Sequence, residues 1–184
     1  MQISRFEAMT KSPVQRKRSF PPVVDANVRL LLLGSLPGER SLRAQQYYAH
    51  PQNKFWELVG AVIEVDLRAL PYAARLESLL HHGIGLWDVI AEAERQGSLD
   101  TAIRNESHNR LLELVTSLPA LQAIAFNGGT AAKIGRRQLQ DMANRFDLID
   151  LPSSSPAHTI GFERKLNAWN NLAPWCVHQG VGTK

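Results

Sequence analysis

The 184-residue sequence contains one cysteine, Cys176, so no internal disulfide can form and four thiolates of this chain cannot hold an iron–sulfur cluster. Such sparing use of cysteine fits a reducing compartment, and the cytoplasm is the expected location. No stretch approaches the ~20 apolar residues of a bilayer crossing. The densest run, Val28-Arg29-Leu30-Leu31-Leu32-Leu33, has only the length of a strand. Residues 1–27 lack the apolar segment of a secretory signal. The six histidines show neither HExxH nor cysteine-paired spacing, so no metal site is expected. A Walker loop and a GxGxxG fingerprint are missing too, which argues against nucleotide cofactors.

Excess charge of one sign is confined to one end. Residues 1–29 hold Arg5, Lys11, Arg16, Lys17, Arg18 and Arg29 against Glu7 and Asp25, and this accounts for the whole net charge of +4. The rest of the chain is balanced. Clustered basic side chains suit phosphates, but a basic end is equally a solvated tail. With Pro13, Pro21 and Pro22, residues 1–27 read as an irregular leader, and 28–184 as a single domain.

What is present is ordinary globular material, 44% hydrophobic and 21% charged. Apolar runs at 28–33, 84–89, 121–126 and 146–151 read as strands. Phe55, Leu58, Val59, Val62 and Ile63 line one face of a helix. Further helices are expected over 72–82, 109–118, 130–143 and 162–177, with Asp88 capping a short one over 89–95. Strands alternating with helices predict a three-layer α/β/α sandwich around a central, mostly parallel four-stranded sheet.

Folds of this kind hold ligands beyond the carboxyl ends of their strands. Four junctions there are rich in turn residues that expose backbone N–H groups: Gly34-Ser35-Leu36-Pro37-Gly38, the segment around Asp88, Asn127-Gly128-Gly129-Thr130 and Pro152-Ser153-Ser154-Ser155-Pro156. The segment Tyr47-Tyr48-Ala49-His50-Pro51-Gln52-Asn53-Lys54-Phe55-Trp56 precedes the first long helix. Phe55 and Trp56 read as core, and Asn53 as a helix cap with its amide partly free. Asn127 carries donor and acceptor on one amide, which suits the edge of a base and equally a plain turn. The loop after 151 reads either as a phosphate grip or as the turn before a helix.

In this order and spacing, GSLPG, YYAHPQNKFW, GIGLWDV, FNGGTA and LPSSSPAHT resemble the uracil-DNA glycosylase superfamily, most closely its hypoxanthine (deoxyinosine) branch. The resemblance spans about residues 28–175 and covers nearly all of the balanced body. It departs at Leu36, where mismatch-specific enzymes place a water-orienting Asn, and at Leu151, where the major uracil branch has His.

The resemblance implies a monofunctional enzyme that flips a deaminated base (hypoxanthine, with uracil left open) out of DNA and hydrolyses its glycosidic bond. Asn53 would be the catalytic residue. Tyr48 would stack on the base, with Asn127, Ser35 and Leu36 completing its pocket. Pro152, Ser153, Ser154, Ser155, Ala157 and His158 would grip the strand, with Ala157 or His158 as wedge. Arg40, Arg43, Lys54, Arg136, Arg137, Arg164 and Lys165 would lie near the binding edge. No cofactor is implied. The expected partner is double-stranded DNA, with single strands left open, bound by a monomer. Two alternatives stand beside this: a mismatch-specific uracil or thymine glycosylase, and a damaged-DNA-binding module without chemistry.

Overall fold

Leu30 to Leu33 present apolar side chains to both faces of the chain, which suits only a strand covered on both sides. The computed structural model, which describes residues 16–177, puts this run at the centre of a sheet. In chain order the elements are β1 (Arg16–Arg18), β2 (Leu30–Gly34), α1 (Glu39–Ala44), α2 (Phe55–Ile63), α3 (Tyr72–His81), β3 (Ile84–Asp88) and β4 (Ile90–Arg95). They continue with β5 (Ile103–His108), α4 (Leu111–Ser117), β6 (Ala123–Asn127), α5 (Gly129–Gln138), β7 (Asp147–Leu151) and α6 (Phe162–Trp169).

The central sheet has the order β3-β2-β6-β7, and every pairing in it is parallel. Alternate residues feed two cores. Leu30, Leu32, Leu86, Ala123 and Ala125 pack with Phe55, Leu58, Val59 and Val62 of α2, Leu79 of α3 and Trp169 of α6. Leu31, Leu33, Ile124 and Phe126 pack with Leu111 and Val115 of α4 and Ala131 of α5. Each large side chain buried this way contributes about 1.5–3 kcal/mol. The three-layer sandwich expected from the sequence is therefore the fold.

Two expectations fail. Residues 89–95 form no helix; Ile90–Arg95 is β4, the middle of a second, antiparallel sheet of order β1-β4-β5. Ala, Glu and Arg favour helix locally, but neighbouring strands on both sides override that preference. Its Glu92 meets Arg16 and Arg18 of β1, each at 2.8 Å, and its Ala93 and Arg95 are buried.

The leader is the second failure, at least from residue 16 onward. Arg16–Arg18 is a strand, and Val23 forms an antiparallel bridge with Leu86. Phe20 packs edge-on against Tyr47, the Tyr47 hydroxyl donates to the Pro21 carbonyl, and Trp87 Nε1 donates to the Phe20 carbonyl at 3.0 Å. The basic segment is thus partly a strap across the body. Residues 1–15, with the rest of the expected leader, lie outside the described residues.

Candidate functional site

The strand ends place three residues in one row. Asp88 of β3 is in register with Gly34 of β2, and Asn127 of β6 with Leu151 of β7. Gly34 and Asn127 directly follow the paired Leu33 and Phe126. By the two-residue period of a strand, Asp88, Gly34 and Asn127 share the face of Leu86, Leu32 and Ala125. Glycine is required in the middle, because a Cβ there would lie 2.6 Å from Asp88 Oδ1 and 2.9 Å from Tyr48 Oη. The Tyr48 hydroxyl therefore sits over Gly34, next to the Asp88 carboxyl and within 3.2 Å of the Asn127 amide nitrogen that donates to it.

Tyr48 is held in an uncommon way. Its φ is +53°, in the left-handed region, at a cost of order 1 kcal/mol for a residue with a side chain. One face of its ring stacks on Phe55 at 3.7 Å, and the Tyr47 ring lies tilted beside it at 6.2 Å. Burial, and after it the nearby Asp88, pushes its hydroxyl well above the usual tyrosine range, so it stays neutral.

Asn127 is committed to the protein. Its Nδ2 donates to Tyr48 Oη and to Ser154 Oγ at 2.9 Å, and its Oδ1 accepts from Ser154 N at 2.8 Å. Both amide hydrogens are used, so little remains to read a base. Ser154 is fully buried and its carbonyl accepts from Lys54 N, which removes it from any surface that could touch phosphate. Gly128, at φ +100°, lets Ser153 close against the turn. Beyond it, Pro156, Ala157 and His158 form an exposed tip, while Pro152, Ser153 and Ser155 are half-buried.

Asn53 is half-buried and sits where the YYAHPQNKFW segment enters α2. Its Oδ1 accepts from Phe55 N at 3.0 Å, and its amide nitrogen has no partner among the described residues. The cap residue of α2 is Lys54 rather than Asn53, so the expected cap becomes a turn bond just before the helix, which uses one side of the amide and leaves the other free. Because Lys54 N donates to Ser154 O at 3.0 Å, this segment and the loop after β7 are joined directly.

The first loop is braced from the second sheet. The buried Arg95 guanidinium donates to the carbonyls of Leu36 (3.2 Å) and Pro37, and Ser35 Oγ donates to Asp100 Oδ1 at 2.8 Å. Lys17, also buried, donates to the Gly97 carbonyl and pairs with Glu39. Leu36 itself turns into the core with Val89 and Ala131. Ser35 spends its hydroxyl on Asp100.

The basic residues expected along the edge divide. Arg40, Arg43 and Arg164 are exposed. Lys165 is buried, donates to the Ser155 carbonyl at 3.0 Å, and is pushed below the usual lysine range by burial and by Lys54. Lys54 is paired with Glu57. Arg136 and Arg137 lie in the last turn of α5, and Arg136 lies over the Phe126 ring, on the sheet face opposite Asn127. Arg136 instead bonds Asp150.

Sequence reasoning passed over one group. Asp88 is 3% exposed, and its Oδ2 has no hydrogen-bond partner among the described residues. Burial first, and then Asp100, pushes its carboxyl up to about 7, with Arg95 opposing. The signal available in the sequence was its place at a strand end, shared with Gly34 and Asn127.

These features sit on a chain whose residues 21–176 match the family model of the Uracil DNA glycosylase superfamily, and the chain belongs to that superfamily. Two relatives named hypoxanthine DNA glycosylase, from Methanosarcina barkeri and Methanosarcina acetivorans, are each 40% identical to it. The first alignment covers 84% of this chain and 96% of the relative, the second 83% and 95%. A solution NMR structure of a Methanosarcina acetivorans protein, provisionally named a uracil DNA glycosylase, superposes with a TM-score of 0.78 at 39% identity. It covers 86% of this chain and 97% of that one. Among the described residues no helix is long and apolar enough to cross a membrane.

Proposed function

We propose that this protein is a monofunctional DNA glycosylase that removes hypoxanthine from DNA and leaves an abasic site. The observation that carries this reading is the 40% identity to hypoxanthine DNA glycosylases across nearly their whole length. The reading extends to a cytoplasmic monomer acting on duplex DNA without a cofactor, with uracil as a second substrate.

Breaking the glycosidic bond builds positive charge on the sugar and negative charge on the base. Asn53 has no useful basicity, so its task is geometric: the free amide nitrogen and the second lone pair of Oδ1 orient the attacking water. The face of Tyr48 turned away from Phe55 receives the extruded base, a contact worth about 1–3 kcal/mol in single-strand binders. Asn127 and Ser154 act indirectly by holding Tyr48 and the loop after β7 in place. Ser153, Ser155 and the exposed Ala157 and His158 form the strand-facing tip, with Arg40, Arg43 and Arg164 available to phosphates.

The test is base release from duplex and single-stranded oligonucleotides carrying deoxyinosine or deoxyuridine, read as alkali-labile breaks, with gel filtration alongside. Breaks at deoxyinosine support the reading. Binding to the same DNA with no release from either base would replace it with a damage-binding module, a role the buried Leu36 would suit.

A further inference from the structure

The turn between β4 and β5, residues 96–100, is fastened to the first loop and the start of α1. Ser35 Oγ donates to Asp100 Oδ1 at 2.8 Å, and Glu39 N donates to Ser98 Oγ at 2.9 Å. Lys17 Nζ donates to the Gly97 carbonyl at 2.7 Å and pairs with Glu39. Arg95, where β4 ends, donates to the carbonyls of Leu36 and Pro37. Ser35 directly follows Gly34, the middle of the row, so this turn of the second sheet stands at the carboxyl end of the central one.

Within the turn, Leu99 is 57% exposed and belongs to neither core. A single exposed leucine is ordinary at most surface positions. Here the residues on both sides of it are pinned, so an apolar side chain that the fold does not bury is held in place beside the crevice.

The charges around it suit a polyanion. Two carboxylates flank the turn, and each faces a buried cation: Lys17 is paired with Glu39, and Arg95 lies 3.9 Å from Asp100. The hydrogen bond from Lys17 holds Glu39 below the usual carboxylate range, so it stays an ion within that pair. Burying a cation is costly unless it is partnered, and two are spent at this corner. Glu39 and Asp100 against Lys17, Arg95 and the exposed Arg40 leave the corner positive, with no excess of acid to repel phosphates.

We propose that this turn is a second DNA-contacting element and that Leu99 inserts into the base stack beside the extruded nucleotide. The inference rests on the glycosylase reading and deepens it, because it assigns a duplex contact in addition to the loop after β7.

Extruding a base leaves its neighbours unstacked on one side. A leucine side chain covers such a face, and apolar wedges of this kind hold a duplex open in other DNA-binding proteins. The exposed tip after β7 supplies little of that, since Ala157 ends in one methyl group and His158 is polar. A side chain already held in place also loses little further freedom on binding. Leu99 is buried only on DNA, so its removal is felt in binding and not in folding.

The test uses a duplex with 2′-fluoro-2′-deoxyinosine, whose fluorine opposes positive charge on the sugar and keeps the base attached. A neighbouring 2-aminopurine reports the local stack. Wild type should raise its fluorescence on binding, and Leu99→Ala should raise it by about half as much or less. By anisotropy, Leu99→Ala should show a roughly tenfold higher Kd. Leu99→Met should match wild type, and Leu99→Asp should bind more weakly than Leu99→Ala. Melting temperatures should stay within ~2 °C of wild type.

No fluorescence rise with wild type, or an equal rise with Leu99→Ala, overturns the proposal. Base release from an ordinary deoxyinosine duplex judges the glycosylase reading separately. Should wild type release no base, that reading fails, and the comparison of Leu99→Ala with wild type on the fluorinated duplex still decides the role of Leu99.

Discussion

Asn127 and Ser154 hold each other twice. The Asn127 amide donates to the Ser154 hydroxyl at 2.9 Å and accepts from the Ser154 backbone N–H at 2.8 Å. Twenty-seven residues apart in sequence, they fasten the loop after β7 to the end of β6, and through Tyr48 to the aromatic segment before α2. Asn127→Ala should leave the buried Ser154 N–H unpaired and cost about 2–4 kcal/mol. Chemical denaturation would measure this. Base release should fall through a higher KM as the loop loosens.

The proposed role of Asn53 separates structure from chemistry on one side chain. Asn53→Ala should reduce base release by roughly a hundredfold or more, while loss of the bond to Phe55 N costs only about 0.5–2 kcal/mol. Asn53→Ser restores an oxygen that can accept from Phe55 N without the amide, so its melting temperature should recover and its turnover should not. Recovery of both would move the water-orienting role elsewhere.

The strap from β1 to Val23 changes what truncation should do. Removal of residues 1–25 deletes a strand of the second sheet, the Val23–Leu86 bridge, the Phe20–Tyr47 packing and the Lys17 contacts behind the first loop. Such a deletion should destabilise the protein by several kcal/mol and abolish base release along with folding, as circular dichroism on the truncated chain would show. A folded, active truncation would contradict the packing of that segment.

Stability should depend on pH through Asp88. An unfolded aspartate titrates near ~3.9, whereas the folded group titrates at about 7, so the folded state binds this proton more tightly. Its contribution is full below the unfolded value, declines as pH rises between the two, and is flat above. The melting temperature of Asp88→Asn relative to wild type should therefore rise across that interval, and at about pH 8 the variant should be the more stable protein.

The sequence revealed the parts whose pattern is local. Four apolar runs, the α2 face and the turn-rich junctions required only periodicity, and the ordered motifs identified the family. It hid whatever depends on distant partners. Ala91 to Arg95 favours helix until strands from residues 16 and 103 flank it. Ser154 and Lys165 are polar residue types that ordinarily face water, yet the Asn127 amide and the Ser155 carbonyl let them be buried. Asp88 read as a helix cap because nothing near it in sequence shows that β2 and Tyr48 enclose its carboxyl.

The left-handed backbone at Tyr48 is a strain that its own side chain outweighs. Gly or Asn would relieve that conformation by about 1 kcal/mol. Each would discard the ring that stacks on Phe55 and the hydroxyl that accepts from Asn127, and losing a buried aromatic costs about 3–5 kcal/mol. Laboratory evolution under a thermal screen should therefore keep an aromatic residue at this codon in spite of its backbone.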